Sequence, residues 1–571
     1  MIQKIKSIIP KSYKKKTIKI LFFLLMSMLL EALGLGLLLP IVTIILDSQV
    51  VNNYPSIIGF LSEYGIISHQ QIISFVMIIF GFLYIIKAFF LIYVSWVLAD
   101  YSQGLSNHLS SKLFAGYVRQ PYIESVNTNS ANLQRNVTNE VIQFTAFITN
   151  LLFLVSEAAI CISIVVTLLY IEPSGAIILM VVLIFLALIY YFLTKGYIYK
   201  LGINRLDFDQ KRIFTLIQSL GSFKEIKMFN KESFFISQFK KRNSAYYGIM
   251  KKNQVIQQVP RHYFELSAVL GLVFFIVLSI SKGEDLNNLI AVLSVFLLAA
   301  FRLIPSCNRI LTNIQAVKYA SISIEFLFNE LNKINIHSQI ENKVNTLFDF
   351  KKPIVIRDVS YSYQKTDEKA IDKINLKIPA NSFIGIIGES GSGKSTFIDT
   401  LIGFIHPDSG TITIDNVDIH KCTSQWMYNI GYVPQTIHLS DSSLRNNIAF
   451  GVDDNDINDD YIWEAIGNAE LTKFVNSLPN GIHTSIGEHG SKLSGGQRQR
   501  IGIARALYNN PKLIIFDEGT SALDSETEKS IIKSILKFKN TKTIIMIAHR
   551  HSTLSECDMI IEFNKSKMNL K

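Results

Sequence analysis

Charge is scarce in this 571-residue chain: Asp, Glu, Lys and Arg make up 18% of it, 49% is hydrophobic, and mean hydropathy is +0.29. A soluble chain of ordinary composition carries about a quarter charged residues, so the deficit points to lipid-facing surface and excludes disordered, collagen-like and disulfide-stapled classes. Cysteine is scarcer still. Cys161, Cys307, Cys422 and Cys557 are scattered with no close pair in the sequence, which supports neither a zinc site nor a disulfide framework. Four structural thiols facing lipid or a reducing cytosol are expected. The formal net charge of +11 and a pI near 9.1 fit nucleic acid, anionic lipid or an acidic ligand, and the choice depends on where the charge sits.

The apolar residues gather in the first half. Stretches of bilayer-spanning length cover 18–46, 71–98, 144–170, 175–193, 263–280 and 289–304, six spans in all. The first is too long for a signal-peptide core and no small-residue cleavage site follows it. Lys4, Lys6, Lys11, Lys14, Lys15, Lys16 and Lys19 precede that span, whereas the opposite-side loops carry Asp47, Glu63, Glu172, Glu284 and Asp285 against Lys282 alone. The positive-inside bias places the N-terminus in the cytoplasm and, with six spans, everything after Leu327 there too.

The inward loops, 99–143 and 195–262, are too long for turns and read as continuations of the spanning helices into the cytosol, with tips near 121–126 and 220–227. Residues 53–66 alternate apolar and polar, which fits either a short amphipathic helix on the outer face or an ordinary loop. Polar sequence over 331–352 reads as a linker between a membrane domain, 1–330, and an α/β domain with a largely parallel sheet, 353–571.

In that second domain, Gly388-Glu389-Ser390-Gly391-Ser392-Gly393-Lys394-Ser395 fits G-x-x-x-x-G-K-[ST], between an apolar strand and a helix-compatible segment that starts at Thr396. Glycines let backbone N–H groups close around phosphate oxygens, Lys394 reaches the β- and γ-phosphates, and Ser395 ligates Mg²⁺. The run Leu513-Ile514-Ile515-Phe516 ends in Asp517 and Glu518. That order suits one carboxylate for Mg²⁺ and the next to orient or deprotonate the attacking water.

With Leu493-Ser494-Gly495-Gly496-Gln497 followed by Arg498-Gln499-Arg500, the chain resembles the ATP-binding cassette family over nearly all its length. The resemblance implies an α-helical six-span exporter domain followed by an α/β P-loop ATPase using ATP and Mg²⁺. It also implies that Tyr363 stacks on adenine, Gln435 links Mg²⁺ and water to the membrane domain, and His549 senses the γ-phosphate. Ser521-Ala522-Leu523-Asp524 resembles the loop joining two nucleotide sites, and 484–490 resembles a segment that meets the cytoplasmic loops. Gly519 departs from the usual Ala or Pro after the glutamate. In this family Ser494, Gly495, Gly496 and Gln497 would complete the site of a second subunit. With one membrane domain and one cassette, two copies are needed; a homodimer is favoured because no motif is degenerate, and a heterodimer is the other arrangement.

The cargo must be argued from charge inside the bundle, where it is costly. At a helix rise of about 1.5 Å per residue, Lys87 and Arg302 lie roughly 20 Å from the outer ends of their spans, Arg261 lies at the inner start of its own, and Arg309 follows two turns after Arg302. Such cations suit a phosphate or pyrophosphate; snorkelling, or pairing with Glu31, Glu157 and Glu265, is the competing reading. The stretches Val259-Pro260-Arg261-His262-Tyr263-Phe264-Glu265 and Phe301-Arg302-Leu303-Ile304-Pro305-Ser306 are similar to those of bacterial flippases for lipid-linked oligosaccharides in the inner membrane. That resemblance implies a polyprenyl-pyrophosphate glycan as cargo, the lipid bilayer and a second copy as partners, and no nucleic acid. A drug, lipid or peptide exporter remains an alternative, as does an ATP-gated channel or membrane regulator.

Overall fold

The computed structural model describes residues 1–36, 68–171, 173–281, 286–338, 348–363, 368–518, 525–547 and 555–570. The amphipathic 53–66 segment, Gly519, Ser521–Asp524 and His549 lie outside the described residues, as does the side chain of Arg302. The chain divides into two compact units, 1–120 with 125–338, and 121–124 with 339–571.

The first unit is helical: α1 (Ile2–Ile8), α2 (Lys11–Gly36), α3 (His69–Val118), α4 (Tyr122–Asn127, partly in the second unit), α5 (Ser130–Arg135), α6 (Val141–Ile171), α7 (Pro173–Gly221), α8 (Phe223–Met228), α9 (Glu232–Ser281), α10 (Leu286–Ala320) and α11 (Ile322–Ser338). Helices α3, α7 and α9 have 50, 49 and 50 residues. At about 1.5 Å per residue each is over twice as long as a ~30 Å hydrocarbon core is thick, so each predicted span continues well past the bilayer as helix. Among the described residues, His69–Val118, Ser130–Val166 and Met180–Gly221 are long and apolar enough to cross a membrane. The other predicted stretches fall on α2, α9 and α10.

Packing explains which faces are left exposed. On α3, Phe82, Phe89 and Trp96 are exposed, whereas Leu105, Leu109 and Leu113, at four-residue spacing further along, are buried with Phe144 and Phe147 of α6. One helix therefore turns its apolar side chains outward in its first half and inward in its second.

The second half of that core carries a buried polar network. Between α5 and α6 the chain makes a π turn, Asn136–Glu140. Arg205 of α7 holds Glu140 with both terminal nitrogens, at 3.1 and 3.0 Å, and Ser323 of α11 donates to the same carboxylate at 2.6 Å. Asn139 donates to Asp209 at 2.6 Å, and Arg212 pairs with that Asp209 at 2.7 Å. Asn136 reaches the Tyr117 hydroxyl, which donates to Glu330 at 2.8 Å. Buried charge persists only when paired and hydrogen-bonded, and here it is both.

The membrane unit does not stop at 330. Helix α11 runs to Ser338 because Leu327, Leu331 and Ile334 keep helical spacing and bury against the α3 core, so 331–338 belongs to the first unit and not to a linker.

The second unit is α/β. Its elements are β1 (Ile354–Tyr361), β2 (Ile371–Ile378), β3 (Phe383–Gly388), α12 (Lys394–Ile402), β4 (Ser409–Ile414), β5 (Val417–Asp418), α13 (Thr423–Tyr428), β6 (Ile430–Val433), α14 (Leu444–Ile448), α15 (Asp459–Asn468), α16 (Thr472–Ser477), α17 (Gly495–Tyr508), β7 (Leu513–Asp517), α18 (Ser525–Leu536), β8 (Thr543–Ile547), β9 (Met559–Asn564) and β10 (Lys567–Leu570). An antiparallel sheet runs β2-β1-β4-β5, and a second runs β10-β9-β3-β8-β7-β6, parallel from β9 to β6. Strands β7 and β8 are continuous apolar runs because both their faces are covered, as a parallel sheet requires. Within this unit Tyr122 stacks on Phe404 at 4.8 Å between ring centroids, and Ile123 packs on the same core.

Candidate functional site

In a parallel sheet the carboxyl ends of adjacent strands form the ligand crevice. Here β3 delivers the phosphate loop, β7 delivers Asp517 and Glu518, and β6 leads to Gln435. The loop between Gly388 and Lys394 can close only with glycine at its two ends. Gly388 and Gly393 have φ of +149° and +105°, and a Cβ there would overlap the carbonyl oxygens of Phe563 and Ala370. Lys394 Nζ donates to the Gly388 and Glu389 carbonyls at 2.7 and 2.8 Å, which holds the ammonium over its own loop. Ser392 Oγ is buried and has no hydrogen-bond partner among the described residues. Gly393 is the N-cap of α12, so that helix aims its free N–H groups at the same loop. An orphaned hydroxyl, a caged ammonium and a helix N-terminus together fit a phosphate chain.

Gln435 Nε2 donates to Glu518 Oε2 at 2.8 Å, and the Tyr432 hydroxyl donates to Asp517 Oδ2 at 3.2 Å. Glu518 has φ +52°, a left-handed conformation costly for a residue with a side chain. Burial above all, with the Glu518 charge adding, pushes the Asp517 carboxyl above its ordinary range, while the Tyr432 hydroxyl and Lys394 pull it back. Asp399 of α12 is likewise pushed up to about 6, first by burial and then by the Asp517 charge. Ser395, Asp517 and Gln435 offer only hard oxygen donors, the set Mg²⁺ prefers, and bound Mg²⁺ would neutralise phosphate charge during transfer.

Tyr363 donates to or accepts from Thr396 Oγ1 at 3.1 Å beside the phosphate loop, and its ring, 44% exposed, meets that of Tyr361 edge-on at 5.2 Å between centroids. Tyr432 and Asp399 were not picked out from the sequence. Asp399 follows Ser395 by four residues, on the less buried face of α12, a signal that helical spacing carries; Tyr432 shows only through its parallel register with Ile515.

The signature residues form a helix start of their own. Ser494 caps α17 by accepting from Gln497 N at 3.2 Å, and Gln497 Oε1 accepts from Ser494 N at 2.8 Å. The S-x-x-Q spacing is that of a capping box, which locks both side chains and leaves Gly495 and Gly496 as the first helical residues. In the 484–490 segment, Glu488 and His489 point outward, with side chains 82% and 74% exposed.

The proposed cargo cations have separate surroundings. Arg261 Nε pairs with Glu265 at 2.9 Å, and Arg309 Nε pairs with Glu157 at 2.8 Å. Lys87 lies 4.8 Å from the Tyr84 ring centroid. Cys161 and Cys307, far apart in sequence, are packed against one apolar cluster where α6 meets α10, so the absence of a close pair in the sequence does not hold in space.

Residues 17–303 match the ABC transporter transmembrane region, and residues 371–521 match the ABC transporter domain. The chain is 33% identical over 359 residues to an ATP-dependent lipid A-core flippase of Desulfotalea psychrophila, a match covering 62% of this chain and 61% of that protein. It is 27% identical over 483 residues to a putative export ATP-binding/permease protein of Rickettsia typhi, covering 83% and 82%. The structure of a bacterial Atm1-family ABC exporter with ATP bound superposes with a TM-score of 0.76 at 20% identity, over 97% of this chain and 95% of that one. A transmembrane region matched over half the chain, ahead of an ATPase domain whose strand ends gather the phosphate loop, Asp517, Glu518 and Gln435, makes this chain a member of the ABC transporter family.

Proposed function

We propose that this chain is one half of a six-span homodimeric exporter of the bacterial inner membrane, N-terminus and ATPase domain cytoplasmic, which uses ATP to flip a polyprenyl-pyrophosphate-linked oligosaccharide. The observation that carries the ATP-driven part is the Glu518 carboxylate held on Gln435 at the strand ends that also present Lys394 and Asp517. In this reading the phosphate loop and Lys394 bind the triphosphate, Tyr363 stacks on the base, and Ser395, Asp517 and Gln435 hold Mg²⁺. Glu518 accepts a proton from the attacking water, and His549 senses the γ-phosphate. Ser494, Gly495 and Gly496 of one copy close the site of the other. Closure of the two cassettes then biases the membrane helices toward an outward-facing state, and hydrolysis resets them.

For the cargo, the support is chemical. Both arginine pairings run through Nε, and the side chains of Arg261 and Arg309 are 69% and 55% exposed. A guanidinium has five donors, so such pairing leaves a fork for a phosphate oxygen pair. Arg302 and Lys87 complete the set. Relatives named lipid A-core flippases, from Desulfotalea psychrophila and Francisella novicida, favour a second reading in which the cargo is a lipid A-core glycolipid.

Reconstitution in liposomes with each cargo fluorescently labelled tests both. ATP-dependent loss of protection for the polyprenyl cargo, absent in Lys394→Ala and strongly reduced in Arg302→Ala, is the expected result. Flipping of the lipid A-core glycolipid alone would replace the first cargo by the second, and full activity of Arg302→Ala would remove the basic set from cargo handling.

A further inference from the structure

Two of the four cysteines meet inside the helical unit. Cys161 is on α6 and Cys307 is on α10, and their side chains meet at one apolar cluster. The two helices run antiparallel there: Glu157, one turn before Cys161, is paired at 2.8 Å with Arg309, two residues after Cys307. The contact is therefore fixed from two levels, one ionic and one apolar. Around it Ile164, Leu183, Phe264 and Leu303 form a buried apolar cluster against which both cysteines are packed, half-buried themselves.

We propose that Cys161 and Cys307 are a redox site, converted by hydroperoxides into an intrachain disulfide that ties α6 to α10 and slows the ATPase cycle. In the first step one of the two cysteines, as its thiolate, attacks the O–O bond of ROOH, giving Cys–SOH and RO⁻, and RO⁻ takes up the proton released from sulfur to leave as ROH. In the second, the neighbouring thiol displaces the hydroxyl as water and the S–S bond forms. Two thiols lose two hydrogens and two electrons, and the peroxide is reduced to an alcohol and water. The second step is fast only where a resolving thiol is close by, and the shared cluster and the neighbouring Glu157–Arg309 pair keep the two cysteines together. The disulfide is neutral, so the apolar cluster accommodates it at no charge-burial cost. Bilayer-soluble lipid hydroperoxides are the class of oxidant that reaches such a site.

Helices in transporters rearrange by small sliding motions at packed contacts. A disulfide holds its two Cα atoms within about 7 Å and so turns a sliding contact into a fixed one. This reasoning needs the helix pair and an ATPase cycle, and is independent of the cargo.

The test uses the full-length protein in nanodiscs, exposed to tert-butyl hydroperoxide, with remaining thiols blocked by a maleimide after denaturation and peptides mapped by mass spectrometry. The expected result is a Cys161–Cys307 linked peptide, reversed by dithiothreitol, with Cys422 and Cys557 still alkylated. ATPase activity should fall at least about threefold on oxidation and return on reduction, and Cys161→Ser and Cys307→Ser should keep their activity in oxidant. Separate alkylation or over-oxidation of the two thiols in the wild-type protein would overturn the site, and this arm needs no variant to fold. A disulfide that forms while ATPase activity stays unchanged would overturn its effect on the cycle.

Discussion

Gln435 and Glu518 touch: the amide of one donates to the carboxylate of the other at 2.8 Å, across the ends of β6 and β7. The carboxylate that would take a proton from water is thus oriented by a side chain just beyond the end of a different strand. Glu518→Gln should leave nucleotide binding intact while steady-state ATP turnover falls by about two to four orders of magnitude, the usual loss when a general base is removed. Turnover close to wild type would take Glu518 out of that role. Gln435→Ala, which removes this hydrogen bond, should lower kcat more than it raises the KM for ATP.

Arg205 and Glu140 make the opposite kind of contact, both ends nearly inaccessible to solvent, 2% and 0% exposed. Arg205→Met leaves an uncompensated buried carboxylate, and removing one partner of such a pair costs about 3–5 kcal/mol. The double variant Glu140→Leu with Arg205→Met should recover most of that loss. Thermal unfolding of the purified protein and its single and double variants measures this, and an additive double variant would show that the pair is not coupled.

Acid titration of the ATPase domain should expose two groups that act in opposite directions. Asp399 sits at about 6 against its ordinary 3.8, so its stabilising contribution is complete below 3.8 and is lost as pH rises through 6. His420 is pulled down to about 4 from 6.5, by burial first and by His406 next, with Asp418 opposing. Its contribution is complete above 6.5 and is lost as pH falls through 4. Between pH 6.5 and 4, Asp399→Asn should therefore lose stability on acidification more steeply than wild type, and His420→Gln less steeply. Melting temperatures of the nucleotide-free protein at several pH values check both signs; parallel curves for all three proteins would refute them.

Ser494 has a local job that is separable from any role toward a second copy. Ser494→Ala removes the cap on α17 and should cost roughly 1 kcal/mol, with Ser494→Thr retaining most of it. If ATPase activity falls in Ser494→Gly, which removes the hydroxyl at little cost to the helix, while Ser494→Thr keeps it, the hydroxyl serves the nucleotide as well as the helix.

Much of this site could be read along the chain because its parts are short and contiguous. The phosphate loop, the β7 run into Asp517 and Glu518, and the Ser494–Gln497 capping box each carry their geometry within a few residues. The span positions on α3, α6 and α7 were legible for the same reason, since hydropathy is a local sum. What the sequence hid depends on contacts between distant residues. Tyr432 meets Asp517 only through strand register, Arg205 meets Glu140 only through the packing of α7 on a π turn, and Cys161 meets Cys307 across 146 positions. Helix α11 hid in plain composition: Asn and Lys on its outer face made a buried stripe look like a linker.

The π turn at Asn136–Glu140 has a consequence for length. Such a turn is an α-helix that has taken in one extra residue, and one residue is worth about 100° of rotation about the axis. Arg135 and Asn136 on one side, and Glu140 on the other, therefore reach different neighbours only because the count between them is one too many for a regular helix. At this place the chain is tuned by arithmetic more than by side-chain chemistry. Removing Thr138, a residue whose side chain bonds only its own helix, would move every later contact of α6 by more than replacing any one of the charged residues there.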